Sequence, residues 1–331
     1  PQQCRQAWKK AGKFALPTGF ADIDKIVICG MGGSAIGGDL LRSLTSKLNK
    51  PQIFVNRGYD LPAFVDPKTL VIASSYSGNT EETLSAFKQA LNANCKKLAI
   101  TTDGKLEDLA QENGVPVFTI DYITQPRAAL GYSFIPLLSL LGKLGFLKDK
   151  SEEVERMAQT LDGLLGKVAE NIPTSLNSAK QLAIKVFGKL IVIYGAGILS
   201  PVAQRWKGQF NENSKTWAFY ETFSELNHNA VVGYEFPQEM ASKVYVVMLR
   251  CPSLHPRILA RYQITSEILG KAGVEHEIID SQGENDLTRM MSLVFLGDWV
   301  SYYLAMLNQT DPTPVKMIDY LKRRLSSIKA Q

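Results

Sequence analysis

The chain has 331 residues, 45% apolar and 21% charged, with a formal net charge of +5. That size and balance fit a globular enzyme of about two domains, with a core large enough to do without staples. The lysines and arginines are scattered apart from a terminal LKRRL, which argues against the dense basic face of a nucleic-acid binder and suits a small anionic ligand.

A helix-like QQCRQAWKKAGKF comes first, behind Pro1 rather than a Met, which reads as a trimmed start. The first strand is KIVICG, Lys25 to Gly30, with a helix from about Ser34. Strands QIFV and TLVIASS follow, then a helix from Asn79 with Leu84, Phe87, Ala90 and Leu91 at helical spacing. KKLAITT and VPVFTI are two more strands. Such runs of Val, Ile and Leu without strict alternation are what a sheet covered on both faces needs, and the βαβ rhythm predicts a parallel sheet.

Residues from about Leu130 to Phe187 read as mostly helical, broken by a charged turn, LKDKSEEVER. That turn is the candidate boundary between residues 1–150 and 151–331. The pattern then restarts: KLIVIYGAGILSPVAQRW repeats KIVICGMGGSAIGGDLL as Lys, apolar strand, G-x-G, helix, offset by 195 − 30 = 165 residues. A period of half the chain means two copies of one domain rather than a solenoid. Strands WAFYE, KVYVVMLR and EHEIID follow, then helices over about Leu287–Leu307 and Pro314–Ile328, joined at Pro312 and Pro314. The expected fold class is therefore α/β: two parallel sheets flanked by helices, each a doubly wound, flavodoxin-like, three-layer αβα unit.

Cys4, Cys29, Cys95 and Cys251 lie far apart and form no CxxC, as in a reducing cytoplasm. No uninterrupted apolar run reaches about 18 residues, so no membrane span is expected, and no signal peptide is visible.

Two loops carry the chemistry. GMGGSAIGG follows the first strand: Gly30, Gly32 and Gly33 let backbone N–H groups approach a ligand, and Ser34 opens a helix whose N-terminus attracts anions. SSYSGNTEET follows the third strand with Ser75, Ser77 and Thr80, more hydroxyls than a turn requires. Both lie at carboxyl ends of parallel strands, where open α/β folds bind ligands, so they predict one phosphate site. The bland alternative is that Thr80 caps its helix. Gly30, Gly32 and Ala35 also fit a dinucleotide fingerprint, and Arg57, without an acid, would then favour NADP; the hydroxyl loop has no part in that scheme.

GGSAIGG and SSYSGNTEET resemble the loops of sugar isomerase (SIS) domains, and the half-chain repeat resembles a double-SIS protein. RWKGQFNENSK followed by ELNHN, with the C-terminal DPTPVKMIDYLK, is similar to bifunctional phosphoglucose/phosphomannose isomerases over nearly the whole chain. The second G-x-G, GAGILS, lacks the Gly-Ser pair, so only the first half should hold phosphate. The resemblance implies an aldose–ketose isomerase acting on a sugar phosphate, without metal or cofactor, in the cytoplasm. It implies Glu212 as the base, on a rigid helix about five turns from its start near Ile198, where burial would raise basicity. His228 matches the ring-opening histidine, supplied by the partner subunit of a homodimer. Arg127 stabilises the enediolate, its fixed charge and fork of donors suiting a spread oxyanion. Lys322 helps ring opening, with Lys316 the competing choice, and Thr313 lines the C1–C2 side. Against these stand a solvated helix Glu, a hydrogen-bonded structural His, a surface Arg at a helix start, and a basic last turn favouring a helix C-terminus. His228, His255 and His276 show no metal-ligand spacing. A non-catalytic SIS-type sugar-phosphate sensor, needing neither Glu212 nor His228, is the main alternative, and an NADP-linked oxidoreductase the other.

Overall fold

Apolar runs alternate with amphipathic ones in the computed structural model, which describes residues 1–20 and 22–328. Helix α1 (Gln2–Lys13) precedes β1 (Lys25–Cys29), α2 (Gly32–Leu44), β2 (Gln52–Asn56), β3 (Thr69–Ser74), α3 (Glu81–Asn92), β4 (Lys96–Thr101), α4 (Lys105–Glu112) and β5 (Val117–Thr119). Helices α5 (Leu130–Lys143), α6 (Ser151–Val168) and α7 (Ser178–Val186) lead to β6 (Leu190–Ala196), α8 (Ser200–Glu212), β7 (Ala218–Phe223), β8 (Val244–Arg250), α9 (Pro256–Lys271), β9 (Glu275–Asp280), α10 (Asp286–Leu307) and α11 (Lys316–Ser326).

The strands make two parallel sheets, ordered β2-β1-β3-β4-β5 and β7-β6-β8-β9. The first is the flavodoxin-like order, whose switch point lies between β1 and β3. The second repeats that order one strand shorter. The central strands β1, β3 and β8 bury both faces, whereas the edge strands β2, β7 and β9 are partly exposed. Ile26, Ile28, Leu70 and Ile72 point into one core, while Val27, Cys29 and Val71 meet Ala86 and Ala90 of α3 on the other side. In the second sheet Ile191, Ile193 and Val247 join that same first core, and Tyr194, Val246 and Met248 pack with Tyr262 and Leu269 of α9. This follows from the period-two geometry of strands. One apolar core thus lies between the two sheets, filled by helices from both halves.

Several boundaries move. The charged stretch read as a turn is helical from Ser151 onward, because Glu152 and Glu153 sit in the first turn of α6, where acids favour a helix N-terminus. Helix α2 begins at Gly32 and α3 at Glu81. Helix α10, 22 residues, is long and apolar enough to cross a bilayer by length and composition. It is instead mostly buried against α6, α7 and α8, as a helix apolar all round must be in a protein core. Trp206 Nε1 donates to Leu293 O at 2.8 Å. Gly297 makes room for this indole, since a Cβ there would lie 2.2 Å from Nε1.

Candidate active site

Strand β1 ends one peptide from Gly30, where no side chain fits: a Cβ would lie 2.8 Å from Ser74 O at the end of β3. Gly32 has φ +49°, a conformation that glycine adopts without penalty. Helix α2 therefore starts at once, with no side-chain cap, which leaves its first-turn N–H groups at Gly32 and Gly33 free for an anion. Ser34, third in the helix rather than its opener, is buried, and its Oγ accepts from Tyr76 N at 3.3 Å. That bond ties the glycine loop to the hydroxyl loop after β3.

The hydroxyl loop is held firmly. Gly78, at φ +63°, presses against the loop after β4; a Cβ there would lie 1.8 Å from Asp103 O. Thr80 occupies the N-cap position of α3 but makes no cap bond. Its Oγ1 lies 2.9 Å from Ser75 Oγ instead, so capping does not explain its hydroxyl. Ser77 Oγ accepts only a long bond from Asn79 N, 3.4 Å.

Arg127 lies in a 3-10 turn, Pro126–Ala128, between β5 and α5. It is 6% exposed, which rules out the surface-arginine alternative. Gly33 lets this turn come close, since a Cβ there would lie 3.1 Å from Pro126 O. The guanidinium is almost fully committed. Nε donates to Asn213 Oδ1 at 2.6 Å, and Nη2 to Thr313 O at 2.8 Å and to Pro312 O. Nη1 remains, 3.6 Å from Glu212 Oε2. Burial lowers the pKa of Arg127, opposed by the charges of Glu212 and Asp311; a guanidinium stays charged regardless.

Glu212 is the last residue of α8, a helix of 13 residues that begins only after a 3-10 turn, Gly197–Leu199. It therefore stands between three and four turns along, not five. Its side chain is 32% exposed, so the single chain does not enclose it as expected. It opens into a cleft of about 220 Å³ bordered by Gly32, Gly33, Arg57, Arg127 and Lys207. Arg57 is occupied by the buried Asp39, whereas Lys207 has no ion partner among the described residues. Cations thus outnumber carboxylates in the cleft, which favours an anionic ligand.

Lys215 carries no local signature that would single it out in the sequence. It takes the left-handed conformation, φ +56°, and its Nζ donates to Glu212 O and, at 3.2 Å, to Pro312 O. Burial first, then the charge of Arg127, lowers its pKa. Arg127 and Lys215 so clasp one carbonyl of the segment leading to α11. Within that segment the backbone N–H of Thr313 donates to Asp311 Oδ1 at 2.8 Å and, as the largest cause, holds the carboxyl below its usual range. Asn213, which orients Arg127, is equally silent in sequence, although it adjoins Glu212.

The chain brings Arg127, Glu212, Gly32, Gly33 and the Thr313 backbone together, with Ser34, Ser75 and Thr80 linked behind them. It does not bring His228 or Lys322 to them. His228 is exposed at the end of a 3-10 turn, Glu225–His228, with no hydrogen bond among the described residues. Lys322 stands on α11, which buries no residue. Lys316, by contrast, lines a groove of about 560 Å³ together with Glu212 and Lys215.

Two family models match the chain: the SIS domain over residues 19–140, and the bacterial phospho-glucose isomerase C-terminal SIS domain over residues 175–325. The chain is 48% identical over 332 residues to the bifunctional phosphoglucose/phosphomannose isomerase of Caldicellulosiruptor bescii, spanning 99% of this chain and 97% of that protein. It is 39% identical over 302 residues to the protein of the same name from Aquifex aeolicus, spanning 91% and 90%. Among solved structures, the C-terminal domain of glucosamine-fructose-6-phosphate aminotransferase from Francisella tularensis shares the fold with a TM-score of 0.73 at 16% identity, over 95% of this chain and 96% of that one.

Proposed function

Since this chain belongs to the bifunctional phosphoglucose/phosphomannose isomerase family, we propose that it interconverts glucose 6-phosphate and mannose 6-phosphate with fructose 6-phosphate, without metal or cofactor. The observation that carries the reading is the pairing of Glu212 with the one uncommitted nitrogen of a buried Arg127, 3.6 Å apart, beside the Gly32–Gly33 helix start.

In this reading the phosphate rests on the first turn of α2 and the hydroxyls of Ser34, Ser75, Ser77 and Thr80. The sugar ring opens with proton transfer by His228 and Lys322, and Thr313 lines the C1–C2 side. Glu212 takes the proton from C2, the electron pair moves onto O1, and Arg127 Nη1 stabilises the enediolate. The hydroxyl proton of O2 passes to O1, and return of the C2 proton from Glu212 to C1, as O2 becomes a carbonyl, gives the ketose. The enediolate is flat at C2, so it retains no memory of the epimer. One base then serves both aldoses.

The catalytic unit in this reading is a homodimer in which His228 reaches the partner's site. Two features support it: His228 is exposed and makes no hydrogen bond among the described residues, and α11 leaves Met317, Tyr320 and Leu321 more than half exposed. Lys316 remains the competing lysine, favoured by its place in the groove with Glu212. Four free cysteines support a reducing, cytoplasmic setting. A coupled assay with both aldose phosphates, with and without EDTA, tests the activity. Turnover of neither, or loss on chelation that zinc restores, would sink it. Mixing Glu212→Gln with His228→Ala protein tests the shared site: exchanged subunits should regain one working site in each heterodimer.

A further inference from the structure

A closed ring of hydrogen bonds surrounds Arg127. Arg205 Nη2 donates to Arg127 O at 3.1 Å and to both carboxylate oxygens of Asp298 at 2.9 Å. Ser301, one turn along α10, donates to Asp298 O at 2.8 Å. Asn213 Nδ2 donates to Ser301 Oγ at 2.9 Å, and Asn213 Oδ1 accepts from Arg127 Nε. The ring thus leaves Arg127 by its main chain and returns by its side chain. It runs through α8 and α10, in the other half of the molecule.

Stability does not account for this arrangement. The Arg205 side chain is 3% exposed, and its Nε is buried without a partner. Its partner Asp298 is 36% exposed, and an ion pair open to water on one side that also leaves a buried donor unmet is a poor source of stability. It is an effective way to fix a position. Arg127 needs such fixing, because its own element is a three-residue 3-10 turn with no helix or sheet to hold it.

We propose that Asp298 is a positioning residue for the isomerase reaction: its carboxylate, through Arg205, holds the main chain of Arg127, while Ser301, through Asn213, holds the side chain, so that Nη1 faces the position of the developing oxyanion. This rests on the isomerase reading of the site. Asp298 does not act on substrate and does not line the cleft. Its effect falls on the transition state, because the substrate oxygen that Arg127 faces carries full negative charge only there.

The test is a double-mutant cycle of Asp298→Asn and Arg127→Ala, with glucose 6-phosphate and mannose 6-phosphate as substrates. Asp298→Asn should lower kcat roughly 10- to 100-fold, the scale of a small misplacement, with KM within about twofold. In the Arg127→Ala background it should change kcat less than about twofold. A kcat near wild type, a loss residing in KM, or effects that multiply would each overturn the proposal. Should Asp298→Asn not fold, Ser301→Ala cuts the side-chain branch alone and must show the same non-additivity. Phenylglyoxal labelling of Arg127, read by mass spectrometry, needs no turnover and should speed several-fold in either variant; an unchanged rate counts against the ring. If the wild-type protein turns over neither sugar phosphate, the isomerase reading fails, and the labelling still decides the ring.

Discussion

Gly30, just after β1, and Gly195, near the end of β6, stand at equivalent places, and neither leaves room for a side chain: a Cβ would meet Ser74 O at 2.8 Å in one and Leu199 O at 2.4 Å in the other. Gly32 and Gly197 share a left-handed backbone, φ +49° and +52°. Two residues further on the halves part. Ser34 turns a hydroxyl toward Tyr76 N, whereas its counterpart Leu199 is fully buried. In the first half the helix starts immediately. In the second a 3-10 turn intervenes, and Pro201 stands in the first turn of α8, removing an N–H that an anion could use. The loop after β3 is rich in hydroxyls, while the loop after β8 sends Leu254 against Gly197, 3.1 Å from where a Cβ would stand. The repeated backbone is therefore a scaffold, not a repeated site. In the proposed reading one copy presents a phosphate cup at its strand ends. The other has filled that cup with leucines and offers Glu212 at the end of the following helix.

The comparison breaks most sharply at Glu212. We predict that Glu212→Gln, which keeps shape but cannot accept a proton, lowers kcat about 10²–10⁴-fold. Both aldose reactions should fall together, while 6-phosphogluconate still binds through the first half. Loss of the mannose 6-phosphate reaction alone would mean two bases. Next come the hydroxyls. Removing that of Ser34, Ser75, Ser77 or Thr80 deletes a charge-assisted bond of roughly 1.5–3 kcal/mol and should raise KM, most simply measured for Ser77→Ala. Ser253→Ala, in the second-half loop, should leave KM unchanged; an equal rise there would mean that both loops hold phosphate.

A smaller effect separates the glycines. Each Gly→Ala change overpacks its strand end, at a cost of about 1–3 kcal/mol. Gly195→Ala should lower Tm more, because it meets backbone at 2.4 and 2.9 Å, yet leave KM alone; Gly30→Ala should raise KM. The reverse pattern would undo the division of labour. The smallest effect is alkaline. Burial pushes the Cys29 thiol at the end of β1 up to about 11. A folded-state pKa raised in this way contributes stability that is complete below the ordinary value near 9 and lost as pH rises toward 11. Tm should therefore drop between pH 8 and 10.5, and Cys29→Ala should remove part of that drop. An identical drop in both proteins would show that Cys29 plays no part.

Strand runs were legible because a doubly covered sheet must be apolar, and the repeat was legible because both strands end in G-x-G. The hydroxyl loop and the FNENSK and ELNHN segments pointed to their chemistry through residue type and resemblance. What stayed hidden depends on distant contacts. That Glu212 lies fewer turns along its helix than expected follows from the 3-10 turn Gly197–Leu199, which delays the start of α8 to Ser200. That Arg127 is buried follows from carbonyls at Pro312 and Thr313, about 185 residues away. Asn213, Lys215, Arg205 and Asp298 carry no local signature, because their roles exist only once α8, α10 and the turn at Pro126 meet.

The core shared between the sheets has a mechanical consequence. Two-domain enzymes often shut on their substrate about a hinge, which requires a seam that can part. Here Ile28 of one sheet and Ile193 of the other belong to one buried cluster, together with α10, and a clamshell opening would tear that cluster apart. Motion is left to parts that bury little, above all α11 and the segment before it, clasped at Pro312 by Arg127 and Lys215. Gating should accordingly be the work of a short C-terminal latch on an otherwise rigid block. Solution scattering with and without sugar phosphate should superimpose, and a change in the radius of gyration of more than about 1 Å on binding would contradict it.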